Sequence, residues 1–260
     1  PNMSVASACA TSGHAIGEAA AAIARGDVEV MIAGGSESTI TPLAIGAFAQ
    51  MRALSTRNDN PEAASRPYDV NRDGFVLGEG SVVFVLEEYE QAVRRGARIY
   101  AEVRGYGATA DAYHLSSLAP GAEGSARAMV AALNRSGLGT MDVDYVSAHA
   151  TSTPGGDGEE ATAIATVFAD NKTNLNVSGV KSMTGHLLGG AGSMGAFAAV
   201  KAIQEGLVPP TINLTDVDPV CAATGLNFTP NSAVKKEVRA ALANSFGFGG
   251  TNASLVFAKV

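Results

Sequence analysis

The sequence contains very little cysteine and no tryptophan. Cys9 and Cys221 are the only cysteines among 260 residues, and aromatic residues make up 6% of the chain. Two cysteines do not make a disulfide framework, so we expect a reducing compartment and a fold that depends on its packed core. A free thiol is therefore available for chemistry.

Positive charge is also scarce. Lys and Arg total 18 against 25 Asp and Glu, which gives a net charge of −7. This balance argues against a nucleic-acid partner, and an acidic partner would need a local basic patch, for which residues 52–57 are the candidate. The sequence shows no apolar stretch long enough to span a bilayer and no signal peptide. We expect a cytoplasmic protein without membrane association.

Hydrophobic residues are plentiful at 46%, and helical and strand patterns alternate along the whole chain. A strand over 3–7, a helix over 9–25 and a strand over 28–33 predict a parallel βαβ unit at the start. A loop over 107–123, rich in Ala, Ser, Gly and Pro, predicts a division between residues 1–107 and 108–260. The pattern indicates a mixed α/β fold.

The remaining elements follow the same alternation. Helices are predicted over 88–95, 123–136, 157–169 and 190–205. Strands are predicted over 81–87, 99–106, 143–148, 175–180, 239–245 and 253–260. The last two strands are joined by a glycine-rich turn.

Cys9 lies directly before the Ala-rich helix predicted over 9–25. A strand-to-helix elbow exposes a nucleophile, and the free N–H groups and dipole at a helix N-terminus favour a thiolate. The alternative is a small buried apolar residue, as for most cysteines in α/β cores. Cys221 lies in a predicted loop without a histidine near it in sequence, so we expect it to be structural.

Two histidines follow predicted strands. His149 lies in the segment 148–154 and His186 in the segment 181–186. A lone histidine is usually a packed residue, but ligand sites of α/β sheets gather at strand ends, so two such loops favour a shared site. His14 and His114 are weaker candidates. Zinc is not expected, because neither cysteine has a partner at ligand spacing.

A Gly-Phe loop, residues 246–250, joins the last two strands. It lacks the lysine of a phosphate-binding loop and no helix follows it. It is either a plain hairpin turn or a flexible loop that offers backbone N–H groups to an oxyanion. A cysteine, two histidines and this loop, in that order, indicate acyl transfer through a thioester.

Together these segments resemble the β-ketoacyl-acyl carrier protein synthase family, in particular its bacterial type II condensing enzymes. Further matching motifs span the chain at 52–57, 66–69, 72–80, 111–114 and 209–213. The resemblance implies an α/β, thiolase-like fold layered αβαβα, and a homodimer. It also implies that the first part of the N-terminal half is absent from this chain.

The resemblance further implies a decarboxylative Claisen condensation in fatty-acid elongation. Cys9 would accept the acyl group from the phosphopantetheine of acyl carrier protein. His149 and His186 would bind the malonyl thioester and promote loss of CO₂. No metal and no organic cofactor would take part in the chemical step.

The other implied roles concern binding and support. The N–H groups of Cys9 and Phe248 would form the oxyanion hole, and Phe248 would also act as a gate. Lys181 would orient the histidine loops with Glu160 as its partner. The remaining residues are expected to bind substrate or carrier protein, or to support the site: Thr151 and Thr153 (pantetheine arm), Phe246 (substrate), Arg52 (carrier protein) and Asp157 (support).

Three positions depart from the family pattern. Family members usually have Asn at the position of Ser147, Glu at that of Gly195 and often a polar residue at that of Ala243. These residues surround a monovalent cation in the family, so we expect no metal here. A polyketide or other specialised ketosynthase and an inactive fragment remain alternatives, and acyl-chain profiling separates the first from fatty-acid synthesis. A non-catalytic chain-length partner would lack the nucleophile, and a thiolase would carry a second cysteine loop instead of His186.

Overall fold

One five-stranded sheet, two two-stranded sheets and the helices packed on them make up the fold. The computed structural model describes residues 1–260. The helices are α1 Thr11–Ala24, α2 Pro42–Gln50, α3 Tyr89–Arg94, α4 Glu123–Ser136, α5 Gly156–Val167, α6 Lys181–Thr184, α7 Ala191–Glu205 and α8 Pro219–Ala222. The strands are β1 Val30–Glu37, β2 Gly80–Glu87, β3 Glu102–Ala110, β4 Tyr145–Ser147, β5 Asn176–Ser178, β6 Leu207–Val208, β7 Val234–Lys235, β8 Ala240–Gly247 and β9 Thr251–Ala258.

The larger sheet has five strands in the order β3-β9-β8-β4-β5. Strand β9 pairs antiparallel with both β3 and β8, whereas β4 pairs parallel with both β8 and β5. Almost every residue of β8 and β9 is buried, because helices cover both faces. This explains why these strands are continuous runs of small and apolar residues rather than alternating patterns.

Successive side chains of β8 point to opposite faces of this sheet. Leu242 belongs to the core cluster with Met129 of α4 and Ile164 of α5. Ala241 belongs to a second cluster with Ile16 of α1 and with α7. Strands β1 and β2 form a two-stranded sheet that packs on the far side of α1 and α7. The layers are therefore helix, sheet, helix, sheet.

Small residues let α1 and α7 approach closely at their N-termini. A Cβ at Gly192 would lie 2.5 Å from the nitrogen of Gly13, and Ser193 N donates to Ser12 Oγ at 2.8 Å. Since α1 follows Cys9 and α7 follows His186 closely in the chain, this contact brings both residues to one edge of the sheet.

The N-terminal region differs from the predicted βαβ unit. Residues 3–7 form no strand, and β1 pairs antiparallel with β2. The predicted strand end at residue 33 is also wrong, because β1 continues to Glu37. Gly34 is needed within the strand, since a Cβ there would lie 2.2 Å from the carbonyl oxygen of Val82.

Two further observations concern the predicted division and an unexpected helix. Strand β3 crosses residue 107 and pairs with β9 on both sides of it, so residues 102–107 belong to the five-stranded sheet.

Helix α2 was not predicted, although Thr41 caps it by accepting from Ala44 N and Pro42 occupies its first turn. None of the helices combines the length and apolar composition needed to cross a lipid bilayer.

Candidate active site

Cys9 lies in a tight turn that we call the elbow, residues 7–11. Ala8 adopts a left-handed conformation (φ 50°), which costs a non-glycine residue about 1–2 kcal/mol. The turn buries the Cys9 side chain, which is 7% exposed. The elbow geometry expected for a nucleophile is present, although no strand precedes it.

The pKa of Cys9 differs from the sequence-based expectation. Burial raises it, and this outweighs the charge of Lys181 and the N–H groups of Phe248 and Cys9, which lower it. The expectation that the helix N-terminus favours a thiolate is therefore wrong in its net sign. The resting group is therefore a neutral thiol near pH 7.

The two histidine rings lie next to each other and to Cys9. Their centroids are 5.4 Å apart and their planes are nearly perpendicular (84°). Cys9, His149 and His186 line one cavity of about 380 Å³. Residues 140 positions apart in sequence therefore converge on a single space.

Both imidazoles are neutral near pH 7. Burial lowers the pKa of His149 and of His186 well below the ordinary histidine value, and the charge of Lys181 lowers both further. A neutral imidazole retains one N–H that can donate to a developing negative charge. Phe75 packs edge-on against His186, with ring centroids 5.2 Å apart, a contact that sequence reasoning missed.

Lys181 begins α6 and is buried beneath the histidines. Its ammonium group donates a hydrogen bond to the backbone carbonyl of His149. Burial lowers the pKa of Lys181 to about 8, and the charge of Glu160 opposes this shift most strongly. At neutral pH the lysine therefore still carries a positive charge, held against the loop that presents His149.

Glu160 does not pair with Lys181 as expected. Its two oxygens accept hydrogen bonds from His149 N (2.8 Å) and Ala150 N (2.7 Å). Asn244, which sequence reasoning missed, donates to the same carboxylate at 3.2 Å. The correction follows from chain geometry, because α5 begins just after the loop and its first turns reach back to the loop amides. Glu160 acts on Lys181 only as a nearby charge.

Asp157 holds the next part of the same segment, which we call the histidine loop, residues 148–154. It accepts from Ser152 N at 3.0 Å and from Tyr68 N at 3.0 Å. Ala150 and Ser152 both have positive φ, 35° and 70°. Glu160 and Asp157 thus secure a backbone that would otherwise be strained.

The Gly-Phe loop closes the cavity on the side of Cys9. A Cβ at Gly247 would lie 2.6 Å from Thr251 Oγ1 and 2.9 Å from the carbonyl oxygen of Ser7, so glycine is required for this approach to the elbow. The backbone N–H of Phe248 lowers the pKa of Cys9. The backbone N–H groups of Cys9 and Phe248 therefore both act on the Cys9 thiol.

The remaining predicted site residues also line the cavity. Phe246 is buried, with its ring 5.9 Å from that of His149. The hydroxyls of Thr151 and Thr153 lie 3.1 Å apart. Arg52 is exposed where the cavity opens, and residues 116–118 contribute to the same opening. The last segment escaped prediction because it was treated only as a connecting loop.

Other candidates lie elsewhere. His114 Nδ1 accepts hydrogen bonds from Ser116 N and Ser117 N, both at 3.2 Å. Cys221 is fully buried, and burial raises its pKa to about 12, which suits the structural role expected for it.

The three positions that depart from the family pattern adjoin one another. Ser147 pairs with Ala243 across β4 and β8, and a Cβ at Gly195 would lie 3.5 Å from Ser147 Oγ. The expectation that this place holds no metal ion stays a prediction.

Comparison with known proteins agrees with this geometry. Residues 1–92 match the family model described as β-ketoacyl synthase, N-terminal domain, and residues 100–215 match the β-ketoacyl synthase, C-terminal domain. The chain is 51% identical over 260 residues to the 3-oxoacyl-acyl-carrier-protein synthase 2 of Coxiella burnetii. It is 51% identical over 264 residues to the mitochondrial 3-oxoacyl-acyl-carrier-protein synthase of Arabidopsis thaliana.

All of this chain aligns with these relatives, but it spans 62% and 57% of their lengths. Among solved structures, a β-ketoacyl synthase from Burkholderia phymatum matches 98% of this chain and 61% of its own, with a TM-score of 0.93 and 41% identity. A type II polyketide ketosynthase in complex with its acyl-carrier protein matches with a TM-score of 0.96 and 36% identity, covering 100% of this chain and 63% of that one. The chain therefore belongs to the β-ketoacyl synthase family and has its thiolase-like α/β fold.

Proposed function

We propose that this chain carries the catalytic centre of a type II β-ketoacyl-acyl carrier protein synthase, which lengthens acyl chains in fatty-acid synthesis. The observation that supports this most is the convergence of Cys9, His149 and His186 on one buried cavity. Relatives of about 50% identity bear the name of such synthases.

The first half reaction is acyl transfer. The Cys9 sulfur attacks the carbonyl of an acyl thioester, its new C–S bond forms, and the bond to the phosphopantetheine sulfur breaks. The proton of the Cys9 thiol leaves with the pantetheine thiol. The amides of Cys9 and Phe248 donate to the oxyanion, and one such donor is typically worth about 10²–10³ in rate.

The second half reaction is decarboxylative condensation. Neutral His149 and His186 donate hydrogen bonds to the carbonyl oxygen of a malonyl thioester, where negative charge develops. The bond to the carboxylate breaks, CO₂ leaves, and the electron pair remains as an enolate. Its carbon attacks the acyl carbonyl on Cys9, and the C–S bond breaks to release the Cys9 thiolate, which takes up a proton.

No metal or organic cofactor takes part in these steps. Substrates arrive on the phosphopantetheine of acyl carrier protein, with Thr151 and Thr153 placed to bind the arm. Exposed Arg52 contacts the acidic carrier, and Phe248 opens the pocket when it is acylated. The working protein is a cytoplasmic homodimer that binds neither nucleic acid nor membrane.

The test is a condensation assay with acyl- and malonyl-thioesters of acyl carrier protein. We expect an acyl adduct on Cys9 by peptide mass spectrometry, followed by formation of the β-ketoacyl product when malonyl substrate is added. Adduct formation on Cys221, or product formation by a Cys9→Ala variant, contradicts the proposal.

A polyketide ketosynthase is the second candidate, favoured by the similarity to the type II polyketide ketosynthase structure. Product profiling separates the two. Successive condensations without reduction of the β-keto group indicate a polyketide enzyme, whereas one condensation per fully reduced acyl chain indicates fatty-acid synthesis.

A further inference from the structure

His14 has no part in the roles described so far, although it lies one turn into α1 from Cys9. Its ring is partly buried and meets Tyr106 edge-on, with centroids 6.3 Å apart. A hydrogen bond of 2.7 Å joins His14 Nδ1 to Ser7 Oγ. Burial lowers the pKa of His14, with the backbone of Asn252 and the carboxylate of Glu18 acting against it. The ring is therefore a neutral partner for Ser7.

The backbone of Ser7 makes the hydrogen bonds that hold the elbow together. Its N–H donates to Thr11 Oγ1 at 2.9 Å, and its carbonyl accepts from Ala10 N at 3.1 Å. These two bonds span Cys9 from both sides and hold Ala8 in its left-handed conformation. A displacement of Ser7 would therefore move the thiol and the amide of Cys9.

Ser7 also contacts the Gly-Phe loop and the first residue of β9. Thr251 Oγ1 donates to the carbonyl oxygen of Ser7 at 2.9 Å, and a Cβ at Gly247 would lie 2.9 Å from that oxygen. One carbonyl thus connects the segment that carries the amide of Cys9 to the segment that carries the amide of Phe248. The separation of the two amides depends on where Ser7 is held.

The geometry points to Ser7 and His14 as positioning residues for acyl transfer. The pair fixes the spacing between the Cys9 thiol and the two amides that stabilise the oxyanion. This role rests on the function proposed above and concerns its first half reaction alone. Glu160 and Lys181 position the backbone of His149 independently of the elbow. Ser7 and His14 therefore have no comparable effect on decarboxylation.

The test separates the two half reactions in His14→Ala, Ser7→Ala and the double variant. Acylation of Cys9 is followed by mass spectrometry and malonyl decarboxylation by CO₂ release. We expect each single variant to lower the acylation rate by about tenfold or more, since small misplacements of reacting groups have large kinetic effects. The double variant should be no slower than the singles, because both act through one contact. Decarboxylation should stay within about twofold of the unmodified chain.

His14→Asn provides a conservative variant, because its amide can still bond with Ser7, and it should recover most of the acylation rate. Glu205→Gln, at the exposed end of α7, is the control. Equal losses in both half reactions, or an unchanged acylation rate, overturn the positioning role. If His14→Ala fails to fold, Ser7→Ala and His14→Asn measure the same separation. If the unmodified chain forms no adduct on Cys9, the proposed function itself is wrong, which is a distinct outcome.

Discussion

Left-handed backbone occurs on both sides of the cavity, at Ala8 in the elbow and at Ala150 and Ser152 in the histidine loop, and different groups hold it. In the elbow the side-chain partners are hydroxyls and a neutral imidazole. In the histidine loop they are the buried carboxylates of Glu160 and Asp157.

This difference has a functional consequence. Hydroxyls do not titrate in the working range, and burial lowers the pKa of His14, so its ring stays neutral to a lower pH than an ordinary histidine. We therefore expect the elbow to keep its shape on mild acidification. The buried carboxylates strengthen the histidine loop but make it sensitive to the loss of one partner. We therefore expect the malonyl half reaction to be the more fragile of the two.

The largest expected effect comes from removing the elbow's functional group. Cys9→Ala should lower condensation by at least about 10³-fold, because no other group can hold the acyl chain. Decarboxylation should persist, since the histidines remain in place. Steady-state product formation and CO₂ release measure the two rates, with Cys221→Ser as the control. Loss of both activities would show that the two regions are not separable.

The next effect comes from the carboxylate of the histidine loop. Glu160→Gln places an amide against the N–H groups of His149 and Ala150 and loses a charged acceptor, which costs about 2–3 kcal/mol in the free energy of unfolding. Decarboxylation should fall by about 10²-fold as His149 loses its position. Urea unfolding and CO₂ release measure these changes.

Glu62→Gln is the matched control for that substitution, because the Glu62 side chain is exposed and lies outside the cavity. Unchanged decarboxylation in Glu160→Gln would contradict the role assigned to the carboxylate.

A smaller effect concerns Asp157, whose pKa burial raises to about 6 from an ordinary value of 3.8. An acid with a raised pKa takes up its proton more readily in the folded state, so its contribution to stability falls as pH rises from about 4 to 6. We compare the free energy of unfolding of the unmodified chain with that of Asp157→Asn. The difference, unmodified minus variant, should fall by up to about 3 kcal/mol over this pH range. Urea titrations at several pH values test the sign, and a difference that grows with pH is the opposite of what we expect.

The smallest expected effect is on the pH dependence of Cys9 alkylation. Because burial raises the pKa of Cys9, its reaction with iodoacetamide should accelerate from pH 7 to 9 without reaching a plateau. Cys9 should still react before Cys221, whose pKa is about 12. Peptide mass spectrometry measures both rates. A plateau below pH 8 would instead indicate a stabilised thiolate.

The C-terminal part of the fold is predictable from the sequence because its signals are local. The helix over 123–136 is found at those residues, and the last two strands form the predicted hairpin. The first strand was wrong, because an extended pattern at 3–7 does not reveal whether another strand pairs with it. The partner of β1 is 50 residues away in sequence, and pairing at that distance is not encoded by periodicity.

The site likewise contains features that the sequence predicts and features that it does not. Cys9, His149 and His186 could be named as candidates from their position beside predicted helices and strands, and the family resemblance supplied their roles. The partner of Glu160 could not, because backbone amides have no sequence signature. The net pKa shift of Cys9 also depends on burial, which outweighs the helix N-terminus and is known only once the fold is complete.

A crystal structure of the chain acylated on Cys9 tests the central claim most directly. We predict that the acyl carbonyl oxygen lies between the amides of Cys9 and Phe248, with the rings of His149 and His186 facing the same cavity. An acyl group directed away from both rings, with its carbonyl outside the reach of the two amides, would contradict the account.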